Sequence, residues 1–378
     1  MMKIAPPVCP HSPRPTRRQL LRFATLAAPT LATPTLGAAL LSRHPGGTAT
    51  AFAQGFATPR AIPEGAQITV AGVTVAGVTV AGPEGGELDN WARTLIPALG
   101  RLTSSHGPIR RSLAGGLDGI TGANQFTAQA LPDGASALLV PGSAMLGWLR
   151  GDPSVQFDIS RCIPLLAGLS TTVIAGRIDA ARLVRGQKLR IGVSGRNGPE
   201  LAAVLGLEQL GLQPIQVGGL IDNAAAEAAF AQHAVDLLLL RGPTIAATLA
   251  ASGARPMCVL GMPDANGLLA RDPTIPELPH LGELLAGLPA DRLTAAWRAT
   301  AVAAQMALGL LLPPLTPAPL AELWRRAAEH AVSTPELQAL ATTQATRLYA
   351  PTSAMHIFAT DPDTASTLGS WLADHQRR

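Results

Sequence analysis

Short runs rich in Val, Ile and Leu alternate along this chain with Ala- and Leu-rich stretches of helical period, and that alternation most limits what it can fold into. Strand-like runs fall at 73–80, 137–140, 171–175, 189–193, 214–217, 235–240, 257–260 and 308–312. Helical patterns cover 88–104, 121–130, 199–210, 223–232, 243–252, 317–331 and 335–345. Strands that alternate with helices build parallel sheets covered on both faces, since each crossover lays its helix back on the sheet. The expected class is α/β with two such sheets. In a chain of 378 residues that is 47% hydrophobic and only 14% charged, both can bury a core.

The net charge of +4 suggests an anionic partner until its location is considered. Residues 1–53 carry six of the 29 Lys and Arg and no Asp or Glu, which leaves 23 basic against 25 acidic residues in the remainder. With a single tyrosine and no basic run interleaved with aromatics, nucleic-acid binding is excluded. Thr16-Arg17-Arg18-Gln19-Leu20-Leu21-Arg22 leads into a weakly apolar stretch ending at Ala51-Phe52-Ala53. That pattern is a twin-arginine export signal with an A-x-A cleavage site, and it predicts a periplasmic protein. Arg22, Pro29 and Pro34 break the run that a membrane anchor would need unbroken, and Cys9 lies outside any lipobox. Residues 54–65 read as a linker. V-T-V-A-G is then nearly tripled over 68–82, too short a unit for a solenoid, so it lengthens one strand or its lead-in. After cleavage Cys162 and Cys258 remain, either as one bridge or as two buried thiols acting as small hydrophobes.

The chain has no Walker loop, H-E-x-x-H, C-x-x-C or G-x-S-x-G, and its histidines lack close metal-ligand spacing. No catalytic residue, cofactor or metal is expected, and the Asp361-Pro362-Asp363 fragment is a turn before a helix. Two glycine-rich strand-to-helix turns remain. One is Gly82-Pro83-Glu84-Gly85-Gly86-Glu87-Leu88-Asp89, the other Ser194-Gly195-Arg196-Asn197-Gly198. Such turns present backbone N–H groups at a helix start and can seat a carboxylate or phosphate; glycine can equally serve only to permit a tight turn. Ligands of α/β domains sit beyond the carboxyl ends of strands and between domains, so the two turns together point to a cleft.

These residues resemble the Bug-type substrate-binding receptors of tripartite tricarboxylate transporters, from about residue 68 to 372. The family's P-F-x-x-G-G-G-T-D turn and x-x-A-R helix are matched by Gly85-Gly86-Glu87-Leu88-Asp89-Asn90-Trp91-Ala92-Arg93. Residues 116–124 and Pro132-Asp133-Gly134 resemble its G-G-N-I-G-A segment and P-D-G-Y-T-L-L-L strand, and the second turn its G-S-A-G-N-G-S loop. Asp272-Pro273-Thr274-Ile275-Pro276-Glu277-Leu278 and Leu312-Pro313-Pro314-Leu315-Thr316-Pro317 are similar to two later stretches.

The resemblance implies a type II periplasmic binding protein with two parallel-sheet lobes joined by crossing strands. By position, lobe one spans 66–171 and 259–378 and lobe two 172–258. It further implies a monomeric receptor that closes on a small organic acid or amino-bearing acid and presents it to membrane permease subunits. The implied ligand residues are Pro83, Glu84, Gly85, Gly86, Leu88, Asp89, Gly142, Ser143, Ser194, Gly195, Arg196, Asn197, Gly198, Arg241 and Thr244. Two departures stand out. Leu88 replaces the family threonine and Glu87 a glycine, which disfavours a dianion, and Gly218-Gly219-Leu220 replaces polar contacts. Arg196 and Arg241 could instead grip a carboxylate through their forked donors. The competing expectations are a module of the same fold that has lost its ligand and a periplasmic enzyme.

Overall fold

The structure is a computed structural model and describes residues 77–103, 108–195, 198–220, 223–286, 292–360 and 363–376. The export signal, the linker, most of the V-T-V-A-G stretch, Arg196 and Asn197 lie outside these residues.

The chain opens with β1 (Gly77–Ala81), α1 (Glu87–Thr103), β2 (Arg110–Ala114), α2 (Ile120–Gln129), β3 (Ser136–Val140), α3 (Gly142–Leu149) and β4 (Ile163–Ser170). It crosses into β5 (Thr172–Gly176), β6 (Lys188–Gly192), α4 (Glu200–Gln209), β7 (Gln213–Val217), α5 (Asn223–Ala231), β8 (Leu237–Arg241), α6 (Ile245–Ser252) and β9 (Arg255–Val259). A two-stranded ribbon, β10 (Met262–Pro263) and β11 (Leu269–Ala270), precedes α7 (Leu281–Leu285) and α8 (Arg292–Gln305). Then follow β12 (Met306–Leu312), α9 (Ala318–Val332), α10 (Pro335–Thr343), β13 (Thr346–Tyr349), α11 (Pro351–Phe358) and α12 (Asp363–Gln376).

The strands form two main sheets, ordered β13-β4-β12-β3-β1-β2 and β7-β6-β8-β5-β9. Each contains the expected parallel pairs and adds antiparallel ones beside them. In the first, β1 pairs in parallel with β2 and β3, whereas β12 runs antiparallel to β3 and β4, and β13 to β4. In the second, β6 is parallel to β7 and β8, and β5 is antiparallel to β8 and β9. Strands β5 and β12 enter their sheets from the other lobe, without the crossover helix that enforces parallel pairing, and each runs antiparallel to its neighbours.

Only Thr171 separates β4 in one sheet from β5 in the other. Its carbonyl accepts from the Gly242 amide (2.9 Å), and the Thr172 hydroxyl donates to the Ser170 carbonyl (3.0 Å). The crossing is thus held by short polar side chains inside apolar surroundings, where an unpaired backbone group would cost about 1–3 kcal/mol.

Helix α1 shows why the first sheet is covered. Leu88, Trp91, Ala92, Leu95, Ile96 and Leu99 recur at spacings of three and four and are buried together against α9, whose Leu320, Ala321, Trp324, Ala327 and Ala328 repeat the same period. On the opposite side, α8 packs against α3 below the first sheet and against α4 below the second, and one apolar cluster runs through it across both lobes. Trp297 of α8 sits against Gly206 of α4, where a methyl group would meet its indole nitrogen at 2.8 Å. Helix α8 passes directly into β12, so this second crossing also has no loop.

The sequence reading placed α3, α8 and α11 in no helix and missed β2, β4 and β13. Both Cys162 and Cys258 are free thiols, and burial raises their pKa values to about 11 and about 12.

Candidate functional site

A cavity of about 560 Å³ opens where the two sheets meet. Its walls come from the carboxyl ends of β1, β3, β6 and β8 and from the α8–β12 junction. That is the place at which α/β domains expose loop amides and helix starts to a ligand. Among the described residues, three charged side chains line it, Glu87, Glu200 and Arg241, with polar groups that include Ser143, Ser194, Thr244 and Gln344.

The glycines of the first turn do not offer their amides to the cavity. Gly85 has φ of +73°, a conformation that glycine adopts without strain. Its N–H donates to Asp89 Oδ2 at 2.9 Å, while the Gly86 N–H donates to the Pro83 carbonyl at 3.2 Å. Asp89, fully buried, also accepts from Arg93 Nη2 (2.9 Å) and Nε (3.2 Å) and from Arg111 of β2. Burial alone would raise the Asp89 pKa, but the Gly85 amide and the two guanidinium groups outweigh it and hold the carboxyl below its ordinary value. Asp89 is therefore a post that fixes the turn, α1 and β2 together, and this corrects its expected ligand role. Glu84 and Gly85 are exposed and do not line the cavity.

The second turn is arranged alike. Glu200 stands in the first turn of α4 and folds back, so that its Oε2 accepts from Ser194 Oγ at 3.0 Å. The backbone N–H groups of Ser194 and of Glu200 itself also reach the carboxylate. A Cβ on Gly198 would meet Glu200 Oε2 at 2.1 Å, so the carboxylate lies directly on the turn. The chain's own acid thus fills the seat expected for a ligand anion. Burial raises the Glu200 pKa, against the pull of these hydrogen bonds and of Arg241. The Gly198 N–H goes to the Gly195 carbonyl, and neither glycine lines the cavity.

Arg241, at the end of β8, reaches across the cleft. Its Nη2 lies 3.0 Å from Glu87 Oε2 on α1, and Nη1 donates to the Met306 carbonyl at 3.4 Å. This ion pair ties the two lobes over the cavity. Both side chains keep access to solvent, so it adds at most about 1 kcal/mol.

The start of helix α3 also faces the cavity. Helix α3 begins at Gly142 and Ser143, both on the cavity wall, and the first N–H groups of a helix have no intrahelical acceptor. Gly142 fits only because it has no side chain, since a Cβ would meet the Ala303 carbonyl at 2.1 Å and that of Met306 at 2.7 Å. The Ser143 hydroxyl donates to the Asp118 carbonyl at 3.0 Å, leaving its oxygen as an acceptor.

Of the residues expected from the sequence, the cavity gathers Pro83, Gly86, Leu88, Gly142, Ser143, Ser194, Arg241 and Thr244. Leu88 contributes an apolar wall, 6% exposed. Arg196 and Asn197 lie outside the described residues. The sequence reading missed Glu200 and Gln344 as wall residues, and it treated Glu87 only as a departure from a motif. The signal for Glu200 was its place one turn of chain beyond a glycine-rich loop; Gln344, far along the chain, gave none.

No family model and no curated relative matches this chain. Solved structures do. A TctC solute-binding protein from Polaromonas is 14% identical with a TM-score of 0.58, covering 79% of this chain and 98% of its own. MatC from Rhodopseudomonas palustris with bound malate is 18% identical with a TM-score of 0.51, covering 78% and 98%. The chain has the two-lobed fold of these solute-binding proteins, in agreement with the resemblance read from its sequence.

Proposed function

We propose that the protein is a solute receptor that takes a small carboxylate in the cleft between its lobes, and that it catalyses no reaction. The observation that carries this reading is the 560 Å³ cavity walled by the α3 helix start on one side and by Arg241 on the other. Together they can supply backbone N–H donors and a guanidinium fork to one acid group. The twin-arginine pattern supports action in the periplasm, and the family resemblance supports delivery to a tripartite tricarboxylate-type permease by a closed form. Lobes of 66–171 with 259–378, and of 172–258, would hinge at Thr171 and at the α8–β12 passage.

A thermal-shift screen of the chain from Gln54 against mono-, di- and tricarboxylates, amino acids and polyamines tests it. A solute at 100 times its dissociation constant stabilises the native state by about 2.7 kcal/mol. A carboxylate that raises the melting temperature, with the rise lost in Arg241→Ala, is the expected result. A flat screen favours a second reading, a ligand-free interaction module. One observation supports that reading: the Gly85 and Gly86 amides, the Ser194 amide and hydroxyl, and Arg241 already have partners within the chain.

A further inference from the structure

The charges that the described residues bring to the cavity wall do not balance. Among the described residues that line it, two carboxylates, Glu87 and Glu200, face one guanidinium, Arg241. Arg241 is committed at 3.0 Å to Glu87. Glu200 has a hydroxyl and backbone N–H groups as hydrogen-bond donors, and Arg241 is the cation that acts on it through space. A cleft built to take a plain di- or tricarboxylate would not line its wall with two acids, because each like charge brought close opposes binding.

We propose that the ligand supplies the missing cation as an ammonium group seated against the Glu200 carboxylate, so that the solute is an amino-bearing carboxylic acid. The inference rests on the receptor reading and deepens it by naming the ligand class. The two ends would meet opposite lobes. Glu200 belongs to α4 beside the second sheet, whereas Gly142 and Ser143 open α3 beside the first. An ammonium on Glu200 and a carboxylate at the α3 N–H groups would therefore join the lobes through the ligand. Glu200 is suited to the task, because Ser194 Oγ holds its Oε2 while the residue remains on the cavity wall. A cation there would also offset what the buried carboxylate loses in solvation. Glu87, paired with Arg241 on the same cavity wall, keeps that guanidinium from a second carboxylate and so selects against dianions lacking an amine.

The test is isothermal calorimetry on the chain from Gln54 with matched pairs that differ only in the amino group. The probes are 4-aminobutanoate with butanoate, aspartate with succinate, and glutamate with glutarate. In at least one pair the amino-bearing member should bind about tenfold or more tightly, as a charge-assisted hydrogen bond provides. Glu200→Gln should abolish that preference while circular dichroism shows the fold retained. If the unaminated acid of every binding pair binds equally or more tightly, the ammonium inference is overturned and the receptor reading stands. If no probe binds and the carboxylate screen is also flat, both fall. Should the amino preference be absent from the wild type and arise only on Arg196→Ala, the chain's own guanidinium fills the place, which also overturns the inference.

Discussion

Replacing Asp89 tests whether the first glycine turn is a structural knot or a ligand seat. Its carboxylate is fully buried and accepts from the Gly85 amide at 2.9 Å, from Arg93 at 2.9 and 3.2 Å, and from Arg111. Asp89→Ala leaves all of these donors without their acceptor. Breaking a buried ion pair from one side costs about 3–5 kcal/mol. Arg93 is 52% exposed and Arg111 28%, so both can recover water, and the lower end applies, about 3 kcal/mol. With an unfolding entropy of about 2.1 cal/mol/K per residue, that lowers the melting temperature of a folded unit of about 300 residues by roughly 5 °C. Urea unfolding followed by tryptophan fluorescence gives the free energy directly. The pairing also has a pH signature. The folded pKa of Asp89 is depressed, so its contribution is present above the unfolded value and is lost as pH falls through the folded one. The gap between wild type and Asp89→Ala should therefore narrow in acid. A loss below about 1 kcal/mol, or a gap that widens as pH falls, refutes the assignment.

Three further outcomes follow from the same geometry. Gly142→Ala pushes a methyl group to 2.1 Å from the Ala303 carbonyl, so it should cost about 1–3 kcal/mol and weaken solute binding together, read by melting and calorimetry. Burial raises the folded pKa of Glu200, so the ionised form opposes folding and stability falls as pH rises through that pKa. Glu200→Gln should accordingly melt higher than wild type at pH 7, with the difference closing toward pH 4; a difference that grows in acid contradicts this. Glu87→Gln releases Arg241 from its partner at 3.0 Å, and it should raise the affinity for butanoate by about tenfold while changing stability by less than about 1 kcal/mol.

Much of the architecture was legible in the sequence because strands and helices alternate with clear periods. What escaped notice had physical reasons. Strand β2 is at the edge of its sheet and reads Arg110-Arg111-Ser112-Leu113-Ala114, largely exposed, so no apolar run marks it. Strands β4 and β5 form one nearly continuous apolar stretch, and nothing local says that the chain changes sheets at Thr171. Helix α8 is buried by the lobes on both sides, so its alanines carry no strong polar and apolar division.

The site was legible in its place but not in its wiring. Both glycine turns and Arg241 are where the sequence put them, whereas the helix that starts at Gly142 had no signal in it. Their partners were hidden, because Glu87 and Glu200 look like ordinary acids in the first turn of a helix, where the macrodipole favours them anyway. Glu87 meets Arg241 across 154 residues of chain, and Asp89 meets Arg111 across 22. Local patterns carry no record of such pairings, so donors that seemed free for a ligand proved to be satisfied from within.

The most direct test of the cleft as an ammonium-and-carboxylate site is a crystal structure of the chain from Gln54 with its tightest-binding solute. Solute density should lie between the α3 start and α4, with its nitrogen within hydrogen-bond distance of the Glu200 carboxylate and its acid group at the Gly142 and Ser143 amides. Density outside the cleft, or a plain carboxylate resting on the Ser194 amide with Glu200 displaced, would contradict it.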